Sequence, residues 1–270
     1  MCTVGVTVSK NRERMLLFKN LDEKIYLPYA EPRIEKGEQA KYLTFPFTTD
    51  PSKQGPWAGI NEFGVTIFGL DANAVPDFHG PRYGTWDQMR GTYQWVLENA
   101  RDAIEGATHF VRDFQRIQFG GPGDIVFLAD RKTAVVVEYI VDHYGLRFLP
   151  LRDHYMAQSN FFQVMRHWSP DSRESTLHTS SLLRYQTALK ILSTKNHAND
   201  LEDVKALLRN HDNGPSAMSI CRHSGDGEYR TLNSVIFDVT AERADVHYVM
   251  NALPCTTDYR KLVLPLRGAR

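Results

Sequence analysis

Cys2-Thr-Val-Gly-Val-Thr-Val8 is the stretch on which the reading of this chain turns. It is rich in β-branched side chains, which are stiff at χ1 and suit a pleated strand, so a strand begins at the second residue. Asn11-Arg12-Glu13 turns the chain, and Met15-Leu-Leu-Phe18 reads as the returning strand. The pattern recurs. Trp57-Ala-Gly-Ile60 and Val65-Thr-Ile-Phe-Gly69 flank Asn61-Glu-Phe-Gly64, where Gly64 supplies the positive φ that closes a hairpin. Residues 124–129 and 133–141 flank Asp130-Arg-Lys132, residues 231–238 and 245–249 form a third such pair, and Leu262-Val-Leu264 reads as a last strand.

Between the hairpins lie helical patterns. Tyr93, Val96, Leu97 and Ala100, then Ala107, Phe110, Val111 and Phe114, recur at helical spacing and predict two helices within 85–117. Gly120-Gly-Pro-Gly123 ends them, and residues 177–192 and 201–209 predict two more. Residues 28–56, with many Pro, Gly, Lys and Glu, read as a long irregular excursion. Local hairpins imply antiparallel sheets, with the helices grouped outside the strand pairs, which defines an α+β class. With no internal repeat or linker-like shift in composition, one domain over 1–270 is expected, with a mature form of 2–270.

The 270 residues carry 32 basic and 32 acidic side chains and a formal net charge of +0. This balance gives no electrostatic footprint for nucleic acid or anionic lipid, so the expected partner is a small molecule or short peptide. No apolar run is long enough to span a membrane, and the first residues lack the pattern of a secretory signal. A cytoplasmic protein with reduced thiols is expected. The three cysteines, Cys2, Cys221 and Cys255, are odd in number and irregularly spaced, which argues against a disulfide framework and a zinc site. The ten histidines show no ligand spacing: His211 and His223 stand too far apart, and His154 and His167 lack a suitable neighbour. No metal and no cofactor is expected. Phe119-Gly-Gly-Pro-Gly-Asp124 is no phosphate loop, since it precedes a strand and lacks the Gly-Lys-Ser/Thr ending.

Cys2 is the residue with chemistry in it. Loss of Met1 puts a thiol and a free α-amine on one Cα. With an amine pKa of about 7.7–8.0, a useful fraction is neutral near pH 7 and accepts the thiol proton, so one residue supplies nucleophile and base. The alternative is an inert, buried strand cysteine.

Several segments, in order, resemble the linear-amide branch of the N-terminal nucleophile hydrolases: choloylglycine hydrolases, penicillin V acylases and acyl-CoA:6-aminopenicillanate acyltransferases. Met1-Cys2-Thr3 resembles the start of the mature choloylglycine hydrolases, and Phe18-Lys19-Asn20-Leu21-Asp22 their Gly-Arg-Asn-x-Asp segment. Gly59-Ile-Asn-Glu-Phe-Gly-Val65 is similar to their Gly-x-Asn-Glu-x-Gly-Leu hairpin. Ala157-Gln-Ser-Asn-Phe161, Ser180-Ser-Leu-Leu-Arg184, Ser219-Ile-Cys-Arg-His223, Thr231-Leu-Asn-Ser-Val-Ile-Phe-Asp238 and Leu253-Pro-Cys255 resemble segments of the acyltransferase branch. The resemblance runs from residue 2 to about 260 and implies a four-layer αββα sandwich, two antiparallel sheets flanked by helices.

It also implies roles. Asp22 matches the aspartate that holds the N-terminal amine; the alternative is a solvated turn residue. Lys19 stands where the family has an arginine against the sulfur; it keeps the charge but loses the planar fork, and a surface charge is the other reading. Asn160 matches the side-chain amide of the oxyanion hole, against a loop-capping role. Gly69-Leu-Asp71 replaces a Gly-Leu-Asn segment, so Asp71 would contribute only through its backbone N–H or a protonated side chain, with Asn73 a substitute donor. Arg184 matches an arginine that orders the polar network, against a solvated helix residue. Cys221 and Cys255 are read as small packed hydrophobes. Trp57, Phe63, Phe68, Phe161 and Phe162 flank these segments and are candidates for an acyl pocket.

The resulting expectation is an N-terminal-cysteine amidohydrolase that cleaves a linear amide through an acyl-thioester on Cys2. The alternatives are an acyltransferase passing the same acyl group to an amine, and an inactive binding protein of the same fold. Lys19 and Asp71 are the departures that favour the last. The resemblance also makes a homo-oligomer an expectation.

Overall fold

The computed structural model describes residues 2–9, 11, 13–23, 28–47, 55–72, 86–117, 123–140, 143–150, 155–166, 176–194, 200–224 and 229–267. Its strands are β1 (Cys2–Val8), β2 (Met15–Glu23), β3 (Arg33–Lys36), β4 (Lys41–Pro46), β5 (Pro56–Asn61), β6 (Thr66–Asp71), β7 (Asp124–Ala129), β8 (Thr133–Ile140), β9 (His143–Pro150), β10 (Tyr155–Ser159), β11 (Arg230–Val239), β12 (Arg243–Val249) and β13 (Arg260–Pro265). The helices are α1 (Trp86–Asn99), α2 (Ala103–Ile117), α3 (Thr176–Thr194) and α4 (Leu201–Leu208).

The strands form two antiparallel sheets. A six-stranded sheet has the order β10-β1-β2-β11-β12-β13, and a seven-stranded sheet runs β3 to β9 in chain order. Period-2 alternation sorts the side chains. From the first sheet, Cys2, Val4, Val6, Leu17, Leu21, Val235 and Phe237 meet Phe45, Trp57, Ile60, Phe68 and Phe127 of the second in one apolar cluster. The opposite face of the first sheet, with Leu16, Phe18 and Ile236, packs on Ala188 and Leu192 of α3 and Val204, Leu207 and Leu208 of α4. The outer face of the second sheet, with Ile67, Val126, Leu128 and Val135, packs on Val96 and Leu97 of α1 and Phe110 and Phe114 of α2. These three apolar contacts stack the expected four layers, αββα.

Local sequence explains the elements. In α2, Ala103, Gly106, Ala107, Phe110, Phe114 and Ile117 are buried along one stripe. Asp200 caps α4, accepting from the Asp203 N–H while the Asp203 carboxylate accepts from the Asp200 N–H. Gly64 sits at φ 84°. In that hairpin Asn61 Oδ1 accepts from the N–H groups of Phe63 at 3.1 Å and Val65 at 3.0 Å, which fixes the turn between β5 and β6.

The irregular reading of 28–56 is corrected, because β3 and β4 lie inside it. Arg33, Ile34 and Lys36 are exposed, so β3 is a charged edge strand that buries no apolar face to read. β9 and β10 likewise lie outside the strands that the sequence pattern predicts.

Candidate active site

The site lies along two adjacent rows of the six-stranded sheet. β1 sits between β10 and β2, with Thr3 opposite both Ser159 and Asn20, and Cys2 opposite Leu21. Asn160, the residue after β10, therefore falls beside Cys2. On the other side, Asp22 follows Leu21 and is itself opposite Thr231 of β11. Strand order thus gathers residues separated by more than two hundred positions.

The backbone of Cys2 is clamped at both ends. Its nitrogen donates to Asn160 Oδ1 at 2.5 Å. Its carbonyl accepts from Arg184 Nη1 at 2.6 Å and from Ser159 Oγ at 3.0 Å. Arg184 also donates to Thr3 Oγ1 at 2.9 Å, Ser181 Oγ at 3.1 Å and Asn160 Oδ1 at 3.3 Å. It is fully buried, so the reading as a solvated helix residue fails. Burial pulls its guanidinium down to about 10, with Asp22 opposing.

Asp22 is fully buried and not a solvated turn residue. It accepts from Thr231 Oγ1 at 2.8 Å, and its Oδ2 lies 3.7 Å from Arg184 Nη1 and 3.9 Å from Arg222 Nη1. Arg222, itself buried, is a member of this group that sequence reasoning passed over. The only signal was its place inside Ser219-Ile-Cys-Arg-His223, between a cysteine and a histidine with more evident chemistry. An arginine kept from water beside a buried carboxylate is recognisable only once both are placed.

Lys19 is also fully buried, which removes the surface-charge reading. Alternation in β2 turns it to the inter-sheet side, like Leu17 and Leu21. Its Nζ donates to the carbonyls of Gly69 and of Trp57 and sits 4.8 Å from the centre of the Trp57 ring. Gly69 is small for a reason: a Cβ there would lie 2.4 Å from Tyr93 Oη. Burial pushes the Cys2 thiol up, and the Lys19 charge does most to pull it back.

Asp71 meets Asn160 through its backbone. The contact seen is through its carbonyl, which accepts from Asn160 Nδ2 at 2.6 Å. The Asp71 carbonyl thus aims the Asn160 amide. Asp71 stands opposite Asp124 in the β6–β7 pair. Burial, with Asp71 adding to it, holds the Asp124 carboxyl well above the usual range, and Tyr93 Oη donates to it at 3.2 Å. Asn73, His154 and His167 lie outside the described residues.

Of the aromatic candidates, Trp57, Phe68 and Phe162 belong to the inter-sheet cluster that holds Cys2. Phe161 packs instead against His178 and Tyr185. Phe63 lies against the outer cluster with Arg267 over its ring, and so does not belong to the cluster around Cys2.

The reading of the histidines and cysteines is corrected in part. His211 and His223 bring their rings to 4.7 Å, and with Cys221 and Cys255 they offer four ligand atoms within 4.8 Å of one another. The sequence separation of His211 and His223 is cancelled by a loop that doubles back. Among the described residues no helix is long and apolar enough to cross a membrane.

The fold is that of the N-terminal nucleophile hydrolases. Solved structures that share it include a cysteine-to-alanine variant of conjugated bile acid hydrolase from Clostridium perfringens, with TM-score 0.57, 12% identity, and coverage of 97% of this chain and 96% of that one. An arginine-to-leucine variant of the same enzyme has TM-score 0.58 and 11% identity, covering 100% and 99%. Penicillin V acylase from Agrobacterium tumefaciens has TM-score 0.53 and 15% identity, covering 91% and 82%. No protein-family model and no curated protein matches the sequence.

Proposed function

We propose that this protein is an amidohydrolase that cleaves the linear C–N amide of a small molecule or short peptide, with Cys2 as nucleophile after removal of Met1. The observation that carries this reading is the clamp on Cys2. The nitrogen that would become the α-amine faces a buried acceptor, Asn160 Oδ1, while Arg184 and Ser159 hold the carbonyl. Such a clamp fixes the Cα, and with it the relation of amine to thiol. A strand residue kept only for packing needs no such side-chain donors and acceptors.

In this mechanism the neutral amine takes the thiol proton and the sulfur attacks the carbonyl carbon. Lys19 favours the thiolate by charge. The negative charge that develops on the carbonyl oxygen falls to the Asn160 amide: it has two N–H donors, of which Asp71 takes one and the other serves the oxyanion. Collapse expels the amine, which leaves with the proton held by the α-amine. Water then attacks the thioester, its proton passing back to the same amine, and the carboxylic acid departs. Asp22, Arg184 and Arg222 form the buried charged group beside Cys2 and keep the geometry of the site.

The fold similarity to enzymes named for conjugated bile acids and penicillin V directs the first assays to those two amide classes. The test has three parts. Intact mass of the native protein is expected to lack methionine, a reagent selective for N-terminal cysteine is expected to label it, and Cys2→Ala is expected to abolish turnover with little loss of fold. Turnover by a chain that retains Met1, or near-wild-type activity in Cys2→Ala, would remove Cys2 from the chemistry. Added amines separate hydrolysis from acyl transfer by diverting the thioester to a new amide. A trimmed, folded chain that no acylating probe modifies at Cys2 is the result expected of an inactive binding protein.

A further inference from the structure

His211, Cys221 and His223 come from the loop that follows α4, and Cys255 from the loop between β12 and β13. The Cys221 N–H donates to the Asn210 carbonyl at 3.2 Å, which folds the first loop back and sets Cys221 near His211. His223 Nε2 then stands 3.8 Å from Cys221 Sγ and 3.2 Å from Cys255 Sγ. All four ligand atoms lie within 4.8 Å of one another. Tetrahedral zinc, with bonds of about 2.3 Å to sulfur and about 2.0–2.1 Å to nitrogen, holds its ligand atoms roughly 3.3–3.8 Å apart. The cluster has that scale already, and closing its widest separation needs a movement of about 1 Å.

We propose that His211, Cys221, His223 and Cys255 are a closed, structural zinc(II) site. Three further features support it. His211 Nε2 is buried and has no hydrogen-bond partner among the described residues, so a buried nitrogen lone pair or N–H is left over. All three cysteines are free thiols, so Cys221 and Cys255 are not consumed by a disulfide. Two sulfurs and two imidazole nitrogens in tetrahedral reach select zinc over oxygen-seeking magnesium or calcium. His211, His223 and Cys255 are only partly buried, which leaves a route for the ion. Binding exchanges the two Sγ–H protons, released to solvent, for two Zn–S bonds. Two thiolates and two neutral imidazoles then balance the dication. Four protein ligands leave no open position, so the ion is a brace and not a catalyst. It would pin the backbone on both sides of Arg222, whose guanidinium lies 3.9 Å from Asp22. The binding claim does not depend on Cys2 being a nucleophile.

The native full-length protein, purified without chelator under reducing conditions, is expected to contain one zinc per chain by elemental analysis, and so is Cys2→Ala. Replacement with cobalt(II) is expected to give thiolate-to-metal charge transfer and the intense visible bands of a tetrahedral site, both erased by zinc. Cys255→Ser and His211→Ala are expected to weaken metal binding by more than the roughly 10–100-fold that loss of an outer partner costs. The cobalt spectrum of the unaltered protein carries the test if those variants fail to fold. Four results would overturn the proposal: a reduced wild-type protein that takes up neither ion; metal lost in Cys2→Ala; a cobalt spectrum unchanged in folded Cys255→Ser; or a Cys221–Cys255 disulfide, seen as two missing hydrogens in protein whose thiols were blocked at lysis.

Discussion

Truncating Asn160 to alanine removes an amide that is 1% exposed and joined to three groups. It accepts from the Cys2 nitrogen at 2.5 Å and from Arg184 Nη2 at 3.3 Å, and donates to the Asp71 carbonyl at 2.6 Å. Arg184 keeps its bonds to Cys2, Thr3 and Ser181, so the groups left without a partner are the Cys2 nitrogen and the Asp71 carbonyl. Each buried orphan costs about 1–3 kcal/mol, and water entering the space of the lost amide recovers part of it, so about 2–4 kcal/mol of stability is lost. For a chain of this size that lowers Tm by roughly 4–8 °C. On the reaction, loss of one oxyanion donor is worth about 2.7–4 kcal/mol, a fall of about 10²–10³ in kcat with KM much less changed. Asn160→Asp separates the two duties. It keeps an oxygen for the Cys2 nitrogen but sets another against the Asp71 carbonyl and leaves no donor, so its kcat is expected to fall further than that of the alanine variant. The assay is initial rates on the amide that the native protein turns over, with thermal unfolding in parallel. An alanine variant with kcat within about threefold of wild type and raised KM, or an active aspartate variant, would show that Asn160 does not hold the oxyanion.

Lys19→Met removes the charge that most opposes burial at the Cys2 thiol. Alkylation of Cys2 near neutral pH is expected to slow and its pH midpoint to move up; an unchanged midpoint would mean that Lys19 serves only the Gly69 and Trp57 carbonyls. Asp22→Asn leaves Arg184 and Arg222 buried together without their shared carboxylate. Breaking such a group costs about 3–5 kcal/mol, a drop in Tm on the order of 10 °C, and a variant as stable as wild type would refute the buried-charge account. The Asp124 carboxyl is held well above its unfolded value, so the folded state keeps a proton that the unfolded chain gives up as pH rises. Stability from this source is therefore present below the unfolded carboxylate value and lost as pH climbs toward the folded one. Asp124→Asn, always neutral, is expected to gain Tm on wild type between pH 4.5 and pH 8 (roughly the span above the unfolded carboxylate value), and a difference constant across that span would contradict it.

The parts of this protein that depend on neighbours along the chain were legible in its sequence alone. The pairs β1–β2, β5–β6, β7–β8 and β11–β12 could be read because alternation and a turn signal such as Gly64 act over a few residues. The four helices could be read from apolar spacing. β3 could not, since an edge strand with Arg33 and Lys36 in solvent has no buried face to leave a pattern. Asn160, Asp22 and Arg184 were candidates only through an ordered resemblance, and nothing local marks an arginine as buried. Tertiary closure settled the rest. The order β10-β1-β2-β11 sets Asn160 beside Cys2 and Asp22 with Thr231 one residue further along, and α3 lowers Arg184 onto them. The same closure placed Arg222 against Asp22, set the Asp71 carbonyl against the Asn160 amide, and drew Cys255 to His211, Cys221 and His223. Those relations arise from strand register and from loops folded across it, and burial then makes each unpaired charge or donor costly enough to find its partner; a pattern read along the chain has no access to either.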